Sequence, residues 1–187
     1  MKANMASKRA AKAKRHKAVV TEKRKAELVA TSLSEQVRIA AALPIQHCLL
    51  SQGFPKSGMG TLVLARGPTP WGFKAGVFLL DSLCLGIKDI IFSSMTSEQL
   101  EDFREVMADA AAPLERVEPS YARKLLRDLA IWAREIGFAP ARDFVVIERL
   151  FGDVNAEACD TDFQFGYEGK PLYVRGPFDT AQVKDAA

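Results

Sequence analysis

The sequence predicts an α+β (mixed α/β) domain, with N-terminal strands forming a small sheet, three helices and a C-terminal β-hairpin, all preceded by a basic arm that is disordered or helical. Three observations carry this reading. Short apolar runs separated by Gly and Pro begin at Ile45, apolar residues recur at helical spacing from Leu100 to Phe151, and aromatic residues alternate at Phe163, Phe165 and Tyr167. The boundaries that follow are an arm over residues 1–38, one globular domain over 40–180 and a short tail over 181–187.

The elements follow in order. IQHCLLS (Ile45–Ser51), MGTLVLAR (Met59–Arg66) and AGVFLLDSLCLGIKDIIF (Ala75–Phe92) read as strands, and GPTPWG (Gly67–Gly72) supplies a hairpin loop between the last two. Val77, Phe78, Leu79 and Leu80 are consecutively apolar, so that strand is expected at mid-sheet with both faces buried. Thr96 and Gln99 have the spacing of a capping box, which starts a helix running towards Pro113. Pro119 opens a second helix, with Tyr121, Leu125, Leu129, Trp132 and Ile136 on one stripe and Gly137 as its stop. A third follows Pro140, carrying Phe144, Ile147 and Leu150 or Phe151 up to Gly152. The closing hairpin places Phe163, Phe165 and Tyr167 on one strand, a turn at Glu168–Gly169, and Leu172 and Val174 on the return, with Pro171 on an edge.

Charge divides the chain more sharply than hydropathy. Of 26 Lys and Arg and 23 Asp and Glu, the first 38 residues hold 11 and 3, a net of +8, whereas the other 149 hold 15 and 20, a net of −5. Lys8, Arg9, Lys12, Lys14, Arg15, Lys17, Lys23, Arg24 and Lys25 form an Ala- and Lys-rich arm without an apolar stripe, the composition of a polyanion binder that orders on binding. On the second helix, Arg123, Arg127 and Arg134 fall within about 40° of one another at about 100° per residue. They are expected to extend the phosphate-contacting surface of the arm onto the domain.

Several classes are disfavoured. Cys48, Cys84 and Cys159 form no CxxC pair and are too scattered for a disulfide framework, and with only His16 and His47 a zinc site lacks ligands. No apolar run approaches the roughly 20 residues that span a bilayer, and no secretory core is present, so a cytoplasmic protein without membrane partners is expected. Gly53–Thr61 superficially resembles a phosphate-binding loop, but Met59 stands where the lysine should be and a strand follows instead of a helix.

Candidate chemistry concentrates at Asp81, Cys84, Lys88 and Asp89, polar residues at the end of the most apolar strand. An ionised carboxylate there must reach solvent, pair with a cation or hold a metal. The plain alternative is a turn with a surface Lys–Asp pair. Asp153, Glu157, Asp160 and Asp162 form a second acidic group. If the two groups converged they could hold Mg²⁺ for phosphodiester cleavage; otherwise no cofactor is expected. His47 and adjacent Cys48 point to opposite faces of a strand, whereas His47 with Cys84 across neighbouring strands would be a base and a nucleophile.

Three stretches, GVFLLDSLCLGIKD (Gly76–Asp89), YARKLL with WAREIGFAP (Tyr121–Pro140) and FQFGYEGKPLYVRGP (Phe163–Pro177), resemble a family of uncharacterised bacterial proteins with a VFLVDxxCLGVKD-like run and a closing FGxxGKPxY. The resemblance spans roughly Ile45 to Asp179 and implies a bacterial intracellular setting. It carries no activity, cofactor or catalytic residue with it. The expected function is that of a nucleic-acid-associated accessory protein binding RNA or DNA phosphates through its arm without strong sequence specificity. The alternatives are a hydrolytic enzyme around Asp81, Cys84, Lys88 and Asp89, and a module for a protein partner.

Overall fold

A computed structural model describes residues 32–173 of the chain. The arm residues Lys8 to Lys25, and Val174 of the expected hairpin, lie outside the described residues. The chain divides between Gln36 and Val37 into two units, and the sheet lies wholly in the second. That unit is mixed α+β. Strands β1 (Ile45–Ser51), β2 (Met59–Thr69), β3 (Gly72–Asp81) and β4 (Gly86–Met95) form an antiparallel meander, and β5 (Leu114–Arg116) pairs antiparallel with the far side of β1. The sheet order is β4-β3-β2-β1-β5. Four helices are described: α1 (Leu33–Ala41), α2 (Ser97–Ala110), α3 (Pro119–Glu135) and the single turn α4 (Phe144–Ile147). None is long and apolar enough to cross a membrane.

Strand alternation sorts the core into two layers. Leu49 and Val63 face α2, packing with Leu100, Leu114, Phe103 and Met107. Leu50, Leu62, Phe78 and Ile90 are register partners on the other face, which α3, α4 and the following segment cover. Leu62, Leu64, Phe78 and Leu80 are completely buried there, each contributing about 1.5–3 kcal/mol. The expectation that β3 is buried on both faces holds only in part. Phe78 and Leu80 are sealed, but Leu79 is 39% exposed and neighbouring Ile91 59%, because the layer around α2 takes in Phe73, Val77 and Met95 but neither of these residues.

The local signals form as expected. Thr96 Oγ1 accepts from Gln99 N at 3.1 Å while Gln99 Oε1 accepts from Thr96 N at 2.9 Å, completing the capping box of α2. Pro119 occupies the first turn of α3. Gly86, at φ 70°, lets α3 approach the sheet, since a Cβ there would lie 2.5 Å from that of Ala133.

Two elements differ from expectation. The third helix is one α turn followed by a 3₁₀ turn, Glu148–Phe151, because arginine side chains take up the carbonyls that a longer helix would pair internally. Among the described residues the closing hairpin consists of one bridge between Tyr167 and Lys170. Its flanks dock elsewhere: Gly166 N donates to Ser82 O at 2.7 Å and Leu172 N to Leu83 O at 2.8 Å, so outside that bridge the segment pairs with the β3–β4 turn.

Candidate functional site

The Asp81 segment is built as a turn. Asp81 is 4% exposed, and its Oδ1 accepts from Leu83 N at 2.9 Å and Cys84 N at 3.0 Å, which satisfies the carboxylate and fixes the corner between β3 and β4. Ser82 then ties this corner to the β1–β2 loop, its N donating to Gly58 O at 2.8 Å and its hydroxyl to Pro55 O at 2.5 Å. Gly60 permits the loop to fold back, because a Cβ there would collide with the Phe54 ring at 2.5 Å. The turn, the loop and the docked C-terminal segment are thereby held together at one end of the sheet.

Of the residues expected to form a catalytic group, Asp81 and Cys84 belong to this corner, joined through the Cys84 amide, whereas Lys88 and Asp89 follow on β4. Cys84 is fully buried, and burial together with the Asp81 charge pushes its thiol up, away from the thiolate a nucleophile needs. Asp89 is exposed on β4 and caps its own neighbour, accepting from Ile90 N at 2.8 Å. Lys88 lies at the irregularity where the β3–β4 register shifts, beyond the Leu80–Ile87 pair. His47 is at the other end of the strands. It pairs with Ala65, which pairs with Ala75, whereas Cys84 lies beyond Asp81, six residues along β3 and so about 20 Å away. The imidazole packs edge-on against Phe73 at 5.1 Å, and burial, reinforced by Arg116, lowers its pKa. Cys48 is buried and its thiol is pushed up to about 12 by burial and Glu118. Among the described residues no three His, Cys, Asp or Glu side chains, the Asp153–Asp162 group included, converge to hold a metal ion.

The three arginines of α3 also part company. Arg123 is 9% exposed, not on a solvent face. Its Nε donates to Glu148 Oε1 at 2.7 Å, its Nη1 donates to the carbonyls of Gly152 at 2.9 Å and Val154 at 2.6 Å, and its guanidinium lies 5.9 Å from the Phe151 ring centre. Arg127 Nε donates to the same Glu148 oxygen at 2.9 Å. Burial alone would raise the Glu148 carboxyl, but hydrogen bonds and charge from Arg123 and Arg127 hold it below the ordinary glutamate value. Arg127 and Arg134 both stand on an exposed surface, but only Arg127 is tied to Glu148.

Beside the Asp81 corner lies a cleft of about 610 Å³ that no sequence motif announces. Phe54, Tyr121, Phe163 and Tyr167 supply its aromatic walls, and Lys56, Glu115, Asp162 and Glu168 its charges, three acids to one base. Tyr121 meets Phe163 edge-on at 5.0 Å, Phe163 stacks on Phe165 at 6.1 Å, and Phe165 reaches Trp132 at 5.7 Å. Phe165 is buried, as core packing requires, while Tyr167 is 61% exposed. Burial, with Cys159 and Glu115 nearby, raises the Tyr121 phenol, which stays a neutral hydrogen-bond donor. The sequence signal for this cleft was limited to the alternating aromatics, because Phe54, Leu83 and Glu115 come from three unrelated turns and strands. Comparison of the chain with protein-family models, with curated proteins and with solved structures finds no match.

Proposed function

We propose that the protein is a nucleic-acid-associated accessory protein that meets RNA or DNA phosphates through its basic N-terminal arm without reading sequence. The observation that carries this is the charge division, +8 over the first 38 residues against −5 over the rest. Arm lysines and arginines release counterions from a phosphate backbone whatever its bases. The geometry of the domain limits how far this surface extends. Arg123 and Arg127 are committed to Glu148, and the cleft carries an acidic excess that repels phosphate. The domain is therefore what the arm tethers, and of the α3 arginines Arg134 is the one left to add to the contact. A hydrolytic role for Asp81, Cys84, Lys88 and Asp89 has less support, since Asp81 is occupied in its turn and the Cys84 thiol is buried.

The test is salt-dependent binding of the intact chain, and of a chain beginning at Ser32, to labelled RNA and DNA with and without Mg²⁺. The intact chain is expected to give a log–log salt slope of about −5, corresponding to roughly six phosphate contacts, and the shortened chain no binding. Equal binding by both chains, or by neither, would overturn the proposal. Cleavage that needs Mg²⁺ would move the argument to the carboxylates.

A further inference from the structure

We propose that the cleft beside the Asp81 corner is a docking site for an extended basic peptide segment of a partner protein, a binding site separate from the phosphate-contacting arm. Two independent features of its wall point to this ligand. The first is backbone. Among the described residues, no N–H or C=O of residues 160–165 has a hydrogen-bond partner, although the chain on both sides is bonded, Cys159 N to Ala156 O and Gly166 N to Ser82 O. Phe163 and Phe165 stack on the same side of this segment, as alternate residues of an extended chain do, and so hold its backbone open as an unpaired edge. An extended peptide can add a strand to such an edge, main-chain bonds giving affinity and side-chain pockets giving specificity.

The second feature is the chemistry of the pocket. Its volume, about 610 Å³, lies within the range of formed binding clefts, so it can take one or two large side chains. Tyr167 presents an exposed ring, and Glu115, Asp162 and Glu168 outnumber the two cations nearby, Lys56 in the lining and Lys124, whose ammonium lies 5.3 Å from the Phe163 ring centre and pairs with Asp128. Aromatic faces and carboxylates together select guanidinium or ammonium groups. Among the described residues Glu115, Asp162 and Glu168 form no salt bridge, and although Asp162 acts at longer range on Lys124, Glu115 and Glu168 leave their charge available to an incoming cation. Phosphate is disfavoured by the same charges, which separates this site from nucleic-acid binding.

The experiment is a titration of the intact, ¹⁵N-labelled protein with a blocked hexapeptide alternating arginine and valine, followed by amide NMR shifts. A second peptide carries glutamate in place of arginine, and a third titrant is blocked arginine alone. The proposal expects saturable shifts of the amides of residues 160–166 with the arginine peptide and none there with the glutamate peptide. An acidic peptide that meets the basic arm would leave these amides unmoved, so the two sites are read separately. The double variant Asp162→Asn, Glu168→Gln is expected to weaken binding about three- to tenfold, and Tyr167→Ala about threefold; all three residues are exposed, so folding is retained. Absence of saturable shifts at 160–166, or equal shifts with the glutamate peptide, would overturn the proposal. Equal affinity for blocked arginine alone would overturn its backbone-pairing half, leaving a site for small organic cations.

Discussion

Residues 148–154, a 3₁₀ turn and the loop after it, and the irregular residues 160–165 both follow α4 and end up in opposite states. In the first stretch Arg66 donates through Nε to Leu150 O at 2.6 Å and through Nη2 to Phe151 O at 2.5 Å, while Arg123 takes the carbonyls of Gly152 and Val154. Leu150 and Phe151 are completely buried as a result. In the second stretch no donor or acceptor among the described residues meets the backbone, and the segment stays at the wall of a cleft. A buried carbonyl without a partner costs about 1–3 kcal/mol, so irregular chain can enter the core only where something supplies donors. Two guanidiniums do so at one end, and their absence at the other leaves backbone open to a ligand.

Removing the donors is the most direct way to break this contrast. Arg66 is 5% exposed, and burial lowers its pKa, with Asp153 opposing that shift. A third bond, from Nη1 to Leu43 O, joins the chain before β1 to the same guanidinium. Arg66→Met keeps the apolar stem but orphans three carbonyls, so a loss of about 3–5 kcal/mol is expected. Urea denaturation reads it as a lower midpoint with little change in slope, and a midpoint within error of the parent would mean that water replaces the guanidinium without penalty.

Acid should weaken the same region next. Glu148 has a folded-state pKa below the ordinary 4.5, so the stability it contributes is fully present above the unfolded pKa and is lost as pH falls through the folded one. Charge-assisted bonds from two arginines set the size of this loss at about 1.5–3 kcal/mol. Glu148→Gln is expected to be less stable than the parent at pH 7 and to converge with it only once the pH has fallen below the lowered carboxyl value of the folded state. Two stability curves that stay parallel from neutral to acid pH would contradict this assignment.

At the open end, Asp81 offers a smaller and more discriminating comparison. Asp81→Ala removes the acceptor that Leu83 N and Cys84 N share and is expected to cost about 1–2 kcal/mol, whereas Asp81→Asn keeps an oxygen there and costs less. Chemical denaturation of the pair separates a turn cap from a catalytic carboxylate. A cap tolerates Asn, while general-base or metal chemistry would lose activity equally in both variants.

The sequence carried these regions unequally, for physical reasons. The capping box at Thr96 and the opening of α3 at Pro119 were legible because each is settled by residues within one turn. Asp81 stood out as a polar residue in apolar sequence, yet a buried turn cap and a site carboxylate place the same residue type in the same position. Arg123 was misread as solvent-facing. A helical wheel sets it beside Arg134, but the segment 148–154 covers only the first half of α3, a contact more than 20 residues distant in sequence. The three-residue β5 has no periodicity to detect. The cleft has none either, since it is assembled from the β1–β2 loop, the β3–β4 turn, β5, α3 and the C-terminal segment.

Arg134 therefore gives the smallest expected effect and the sharpest control on how one helix is used. It shares its wheel position with Arg123 but is exposed, and its side chain makes no hydrogen bond or ion pair among the described residues. Arg134→Ala should change stability by no more than about 0.5 kcal/mol, the ordinary range for a surface substitution. Its salt-dependent binding to labelled RNA should shift the log–log slope by about one at most, the contribution of a single phosphate contact. A slope unchanged within error would limit phosphate binding to the arm, whereas a change of several would mean that α3 anchors a surface extending well beyond its one free arginine.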